Sequence, residues 1–347
     1  MAPSDPLLGT TITERYAVRD VAHDEALGRV YTAWDTDDDR LVHIKVLRHE
    51  FANDTKKFER FGREITATFM VTHPNTVEVL DFGEDDGRLF LVLEFLVGHD
   101  LSSELVRGAI APERVAHIAA QIAAAIGAAH QEGIVHRNLC PDNILLLDHV
   151  VEGDAVKVRD FGLSKLESVE VTEDGLTTGN TRMGVAAYTA PEYLSTGNFH
   201  LKGDLYALGA LMWHMLVGQP PYEGPIDQVL NGIMTAPPPP PSENAADVPE
   251  WLDQLVVDLL SRDPADRPGA YKVQQQLEKG TGQALGMPDL LDLDADGRPV
   301  PLPAEAASSR GWIGLAVVAL VAVVSLVGLG VVVIATALSI LLLRVAA

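Results

Sequence analysis

The residues best equipped for chemistry fall in four short stretches: VHIKVL around Lys45, FGREI around Glu64, HRNLCPDN from His136 to Asn143, and VRDFG around Asp160. An ammonium group neutralises anions such as phosphate. Carboxylate and carboxamide oxygens suit a hard divalent cation. A carboxylate beside a hydroxyl takes up its proton, a service typically worth about 10²–10⁴ in rate. In HRNLCPDN the amide of Asn138 has no carboxylate oxygen to receive a proton. Cys140, the single cysteine, follows two residues later. With only His136 near it in sequence to act as a base, it reads as a small packed thiol.

These stretches need elements to position them. RLVHIKVL (Arg40–Leu47) and RLFLVLEFL (Arg88–Leu96) are short apolar runs bounded by Asp and Gly, and read as strands. Between them Phe58, Phe61, Ile65 and Phe69 recur at helical spacing. From Pro112 to His130 the stripe Val115, Ile118, Ile122, Ile126 and Ala129 reads as a helix, with Pro112 in its first turn and Gly133 after its end. LYALGALMWHMLVG and EWLDQLVVDLL continue the helical text. The run Pro237–Pro241 reads as a stiff loop between helices.

The chain has 347 residues, with 26 Lys+Arg against 49 Asp+Glu, a net charge of −23. That excess argues against a nucleic-acid partner, which demands cations to neutralise phosphates. One cysteine permits no internal disulfide and fits a reducing compartment. Residues 280–310 are rich in Pro, Asp and Gly and read as an exposed linker. Within it DLDADG (Asp292–Gly297) begins like a calcium loop, but the twelfth position holds Pro303 where that loop needs Glu. From Gly311 to Leu343 no residue is charged. A run longer than ~18 apolar residues predicts a membrane span, here residues 311–344, with Trp312 at an interface and Arg310 and Arg344 at the ends. At ~1.5 Å per residue this run reaches about 50 Å, so it tilts or breaks near Gly328-Leu329-Gly330. The N-terminus has neither a basic stretch nor a long apolar run. The expectation is therefore a single-pass tail anchor in the cell membrane with a cytoplasmic bulk.

In order along the chain, VHIKVL, FGREI, HRNLCPDN, VRDFGLS, YTAPE, DLYALG and DPADRP resemble the motifs of the protein kinase family, specifically the bacterial Ser/Thr kinases of eukaryotic type. The resemblance covers about Tyr16 to Leu277. It implies an α+β, two-lobed fold with a β-rich N-lobe and a helical C-lobe, placed at residues 15–279 after an N-terminal tail of 1–14. It implies ATP and Mg²⁺ as cofactors and a protein as partner or substrate. Lys45 would pair the nucleotide phosphates and Glu64 would hold Lys45. Asn143 and Asp160 would carry Mg²⁺, and Gly28, Val30, His43, Glu94, Leu96 and Leu145 would surround the nucleotide with Lys45 and Asp160. Phosphoryl transfer is mainly positioning and charge neutralisation, which is why these residue types recur.

Five sites depart from the family's pattern. HDEALGRV (His23–Val30) occupies the glycine loop, with His23 and Glu25 where glycines would stand. A carboxylate beside a polyanion costs at most about 4 kcal/mol per like-charge pair at 4 Å, and Glu25 avoids most of this by turning to solvent. His43 replaces a small residue against the adenine face. Asn138 takes the position of the base, and Cys140 that of a lysine reaching the γ-phosphate. Val185 stands where a Thr borders the substrate site. Glu192 and Arg267, a buried ion pair in the family, are both present. Changes confined to chemistry, with the scaffold spared, point to a membrane-anchored pseudokinase with nucleotide binding weakened or lost. The alternative is an active Ser/Thr kinase with a variant site, supported by Lys45, Glu64, Asn143 and Asp160. In that reading the threonines at Thr172, Thr177, Thr178 and Thr181 receive phosphate that Arg137 docks.

Overall fold

The structure, a computed structural model, describes residues 5–25, 27–51, 54–148, 150, 153–161, 169–172, 175–178, 186–282, 292–293 and 299–300. Strands β1 (Thr11–Ile12), β2 (Tyr16–Asp24), β3 (Gly28–Asp35), β4 (Arg40–Leu47), β5 (Val79–Asp85) and β6 (Arg88–Glu94) form one sheet in the order β1-β2-β3-β4-β6-β5. Every pairing in it is antiparallel. The strand expected over Arg40–Leu47 has those bounds, and that expected over Arg88–Leu96 ends two residues earlier, at Glu94. Residues 5–14 are more than a tail. β1 adds an edge to the sheet, Leu7 is buried in its core, and Asp5 pairs with Arg29.

Side chains of a strand alternate between faces, and β4 shows what that does here. Val42, Ile44 and Val46 enter a cluster with Tyr16, Tyr31 and Phe90. His43, Lys45 and Leu47 take the opposite face, where Leu47 packs with Phe61 and Ile65 of helix α1 (Thr55–Met70). The amphipathic spacing of α1 thus buries one stripe against the sheet and brings Glu64 to the face that carries Lys45. Asp54 caps α1 by accepting the Lys57 N–H at 3.2 Å.

Residues 95–97 lead into the second lobe. There β7 (Gly98–Asp100), β8 (Ile144–Leu147) and β9 (Val156–Val158) form a small antiparallel sheet. Helices α2 (Leu101–Leu105), α3 (Pro112–Gln131), α4 (Pro191–Thr196), α5 (Leu201–Val217), α6 (Ile226–Thr235), α7 (Glu250–Leu259) and α8 (Ala270–Thr281) supply the rest. α3 is the hub. Val115, Ile118, Ile122, Ile126 and Ala129 are all fully buried, and the helix packs against α5 and α8. α5 passes close to α7 because Gly209 lacks a side chain: a Cβ there would meet the Leu259 Cβ at 2.7 Å. Two further short strands, β10 (Val169–Thr172) and β11 (Gly175–Thr178), pair antiparallel in the Thr-rich stretch. Among the described residues no helix is long and apolar enough to cross a membrane. The apolar run Gly311–Leu343 and nearly all of the linker before it lie outside the described residues, as do Val185 and Thr181.

Candidate active site

The cleft between the lobes centres on Lys45, whose side chain is 2% exposed. Its ammonium contacts the carboxylates of Glu64 from α1 and Glu25 from the turn between β2 and β3, and lies 3.5 Å from Asp160 Oδ1. Burial opposes the charge on Lys45, but Glu64, Asp160 and Glu25 outweigh it and hold its pKa well above the usual lysine value. Burial pushes the Glu64 carboxyl up to about 7 against the pull of Lys45, with Asp160 and Glu25 adding to the rise. Glu64 Oε2 is buried with no hydrogen-bond partner among the described residues. For Glu25 burial again works against the charge, yet the Lys45 ammonium prevails and its pKa falls far below the ordinary carboxylate range. Three carboxylates thus share one buried cation.

Glu25 corrects the expectation that it turns to solvent. Its backbone N–H donates to Gly28 O at 3.0 Å, closing a tight turn, and its carbonyl accepts from Arg48 Nη2 at 3.1 Å. His23 Nε2 lies 3.2 Å from its Oε1. The turn is a hairpin end with Asp24 paired to Arg29. Gly28 is kept for packing: a Cβ on it would meet Val46 O at 2.7 Å. Val30 is opposite Lys45 in the β3–β4 register and so shares its face.

His43 lies two residues before Lys45 on the same face. Its ring rests 4.8 Å from that of Phe95, the residue following β6. Burial, helped by the charges of His23 and Arg159, lowers its pKa to about 4, so the imidazole is neutral at pH 7. His43 is therefore a neutral ring packed on Phe95, on the strand face that carries Lys45. Leu96 and Leu145 are half-buried nearby in the sequence of the hinge and of β8. Glu94 turns its carboxylate to Lys157 Nζ at 2.6 Å and to the Glu78 N–H at 2.7 Å, and its backbone N–H donates to Glu78 O at 3.0 Å.

The second-lobe half of the site is built on Asp204, in the first turn of α5. Its carboxylate accepts the backbone N–H groups of His136 (2.9 Å) and Arg137 (3.0 Å), and lies 2.9 Å from His130 Nε2. His136 is fully buried, rests 4.7 Å from the Phe161 ring and meets Arg159 O at 3.1 Å. Asn143 donates its side-chain amide N–H to Asn138 O at 2.7 Å, and its backbone carbonyl accepts the Arg159 N–H at 3.1 Å. These bonds hold the backbone of Arg137 at φ 69° and of Asp160 at φ 63°. The left-handed region is costly for side-chain-bearing residues and persists where surroundings over-determine it. Asn138 is 2% exposed, and both polar atoms of its amide lack a partner among the described residues. Cys140 is buried to 1% exposure and its carbonyl accepts the Asn143 N–H at 3.0 Å. Arg267 is buried at 1% exposure and grips Glu192 through two hydrogen bonds of 2.7 and 2.8 Å.

The fold and these pairings decide the family. Residues 26–277 match the model of the protein kinase domain. The chain belongs to the protein kinase family. Its relatives place it on the bacterial Ser/Thr branch: it is 33% identical over 318 residues to the serine/threonine-protein kinase pkn3 of Myxococcus xanthus, covering 88% of this chain and 57% of that protein. It is 33% identical over 276 residues to the serine/threonine-protein kinase PrkC of Bacillus subtilis, covering 78% of this chain and 41% of that one. Both relatives extend well beyond the length matched. The crystal structure of the Mycobacterium tuberculosis PknI kinase domain superposes with a TM-score of 0.58 at 25% identity, covering 78% of this chain and 98% of that one.

Of the residues expected at the kinase site, Lys45, Glu64 and Asp160 converge, with Asn143 and Asn138 joined in the loop below. Asn143 and Asp160 carry oxygen donors suited to Mg²⁺, since Asn143 uses its amide nitrogen on Asn138 O and so keeps its amide oxygen for a cation. A nucleotide polyphosphate does not fit while Glu25 occupies Lys45. Sequence reasoning did not give Asp204 its role of clamping the loop, although DLYALG was visible. It also missed Phe95 as the partner of His43, for which the sequence offered only an aromatic residue beside a strand end.

Proposed function

We propose that this kinase domain acts as a pseudokinase: a regulatory or binding module for a protein partner, held at the membrane by residues 311–344, transferring phosphate slowly or not at all. One observation carries the reading. At the position where the family's base stands, Asn138 is buried and offers a neutral amide with no hydrogen-bond partner among the described residues. A hydroxyl brought there meets no carboxylate to take its proton. His43 against Phe95 and the buried thiol of Cys140 add support, since each removes a contact that a nucleotide would use. The named relatives are Ser/Thr protein kinases, which makes a protein the expected class of partner. The intact loop geometry, with Asn143 and Asp160 in place and Lys45 on Glu64, favours the second reading of an active kinase with a variant site, because positioning carries much of phosphoryl transfer.

Radiolabelled ATP with Mg²⁺ or Mn²⁺ and the purified chain separates the two. The expected result is transfer at the background rate, with Asn138→Asp alone failing to give a fast enzyme. Robust turnover abolished by Lys45→Ala overturns the pseudokinase reading. For the anchor, cell fractionation should pellet the full chain and release one ending before Gly311.

A further inference from the structure

We propose that Glu25 is an internal ligand of the phosphate site. It takes the place of nucleotide phosphate on Lys45, so the cleft selects against nucleoside polyphosphates and tolerates ligands that bring no negative charge to that lysine. Three observations converge. An ammonium has three N–H donors, and three carboxylates surround this one: Glu64, Glu25 and Asp160. A phosphate oxygen approaching Lys45 competes with the two carboxylates in direct contact, Glu64 and Glu25, beside Asp160 at 3.5 Å. The site is already overcharged, with three formal negatives on one positive, so an incoming polyanion is repelled by whatever it fails to displace.

The second observation concerns which carboxylate can leave. Glu64 is 3% exposed on a sixteen-residue helix, and Asp160 is 14% exposed and follows Arg159, whose N–H and carbonyl are bonded to Asn143 and His136. Glu25 is 21% exposed and directly follows the end of strand β2 at Asp24. It is the displaceable partner. Third, its seat is built rather than incidental: the Gly28 carbonyl, Arg48 and His23 fix backbone and carboxylate together. Because the turn folds inward at residue 25, it fills the volume over which a glycine loop would close. This inference concerns binding only. It rests on the reading of weakened nucleotide binding, and its tripolyphosphate readout is separate from any assay of phosphate transfer.

Isothermal titration of the full chain with three probes tests it: inorganic tripolyphosphate with Mg²⁺, which reads the phosphate subsite without a base; ATP with Mg²⁺; and adenosine. Glu25→Gln removes the charge and keeps the shape, and Glu25→Gly removes the plug altogether. Both should bind tripolyphosphate about 10-fold tighter or more than the natural chain, with adenosine binding unchanged. Adding Lys45→Ala to Glu25→Gln should erase the gain. Equal tripolyphosphate affinity in the natural chain and both variants overturns the proposal, as does binding undetectable in all three or a gain that survives Lys45→Ala. Melting temperatures of the variants within a few degrees of the natural chain confirm that the comparison is between folded proteins.

Discussion

Two buried ion clusters sit in this kinase domain, and they are built on opposite principles. In the second lobe, Arg267 meets the Glu192 carboxylate through two hydrogen bonds and spends its remaining N–H groups on the carbonyls of Ser261, Lys202 and Arg262. Charge is matched one for one. Asp204 likewise is saturated by two backbone N–H groups and His130. In the cleft, Lys45 faces three carboxylates, and among the described residues neither Glu64 Oε2 nor either polar atom of the Asn138 amide has a hydrogen-bond partner. A buried polar group left unmatched costs roughly 1–3 kcal/mol, so chains keep such groups where something other than stability is selected. The satisfied cluster fixes the fold, and the unsatisfied one marks where ligands are bound or refused.

The sharpest way to break this contrast is to attack the matched cluster. Arg267→Ala empties a fully buried site, leaves the part-buried Glu192 without its cation and three carbonyls without their donor, and should cost about 3–5 kcal/mol. Chemical denaturation should show the loss as a lower midpoint with an unchanged slope. A cost below ~1 kcal/mol would remove the distinction between the clusters. Next in size is Asp204→Ala, which strands two backbone N–H groups in a buried loop. It should cost about 2–3 kcal/mol, and hydrogen exchange at His136 and Arg137 should speed up more than exchange in α3.

The cleft should respond to pH instead. Glu64 has its pKa raised in the folded state, to about 7 from an ordinary 4.5. Between those values the folded chain holds a proton that the unfolded chain has released. Its contribution to stability is therefore complete below about pH 4.5 and is lost as pH climbs towards 7. Glu64→Gln should flatten that slope in melting temperature against pH and leave the chain near pH 7 as stable as before or more so. A slope unchanged by the substitution would mean that Glu64 is not the overcharged member.

Much of this architecture was legible beforehand, for reasons that differ by level. The β4 strand was readable to the residue, because its apolar run is bounded by turn residues on both sides. The α3 stripe was readable because a fully apolar face of twenty residues has no other use. Motif spacing then ordered the site: Lys45, Glu64, Asn143 and Asp160 were named from seven short matches. Legibility stopped where side-chain direction depends on a turn. Strand parity places His43 with Lys45, but it does not extend through residues 24–28. The inward turn of Glu25 therefore needed coordinates. The same holds for Asp204, whose partners are backbone groups some 70 residues away in sequence. Edge strand β1 was missed because two residues carry no periodicity.

The smallest expected effect is the most discriminating. If Asn138 is an idle amide, Asn138→Ala removes two unpartnered polar atoms together with little apolar packing, and the two terms offset. Stability should change by less than about 1 kcal/mol, in either direction. An amide engaged in a hydrogen-bonded network would instead cost several times more, as the substitution would orphan its partners. Asn138→Asp should behave differently from both. It places a fourth carboxylate in a domain whose cleft already holds three around Lys45, and its burial penalises the charge. The Asp variant should therefore be less stable than the Ala variant at pH 8, with the gap closing as pH falls and the new carboxyl takes up its proton. A gap that widens on acidification would show that the site is already tuned to hold a carboxylate, and would turn the comparison towards an active enzyme.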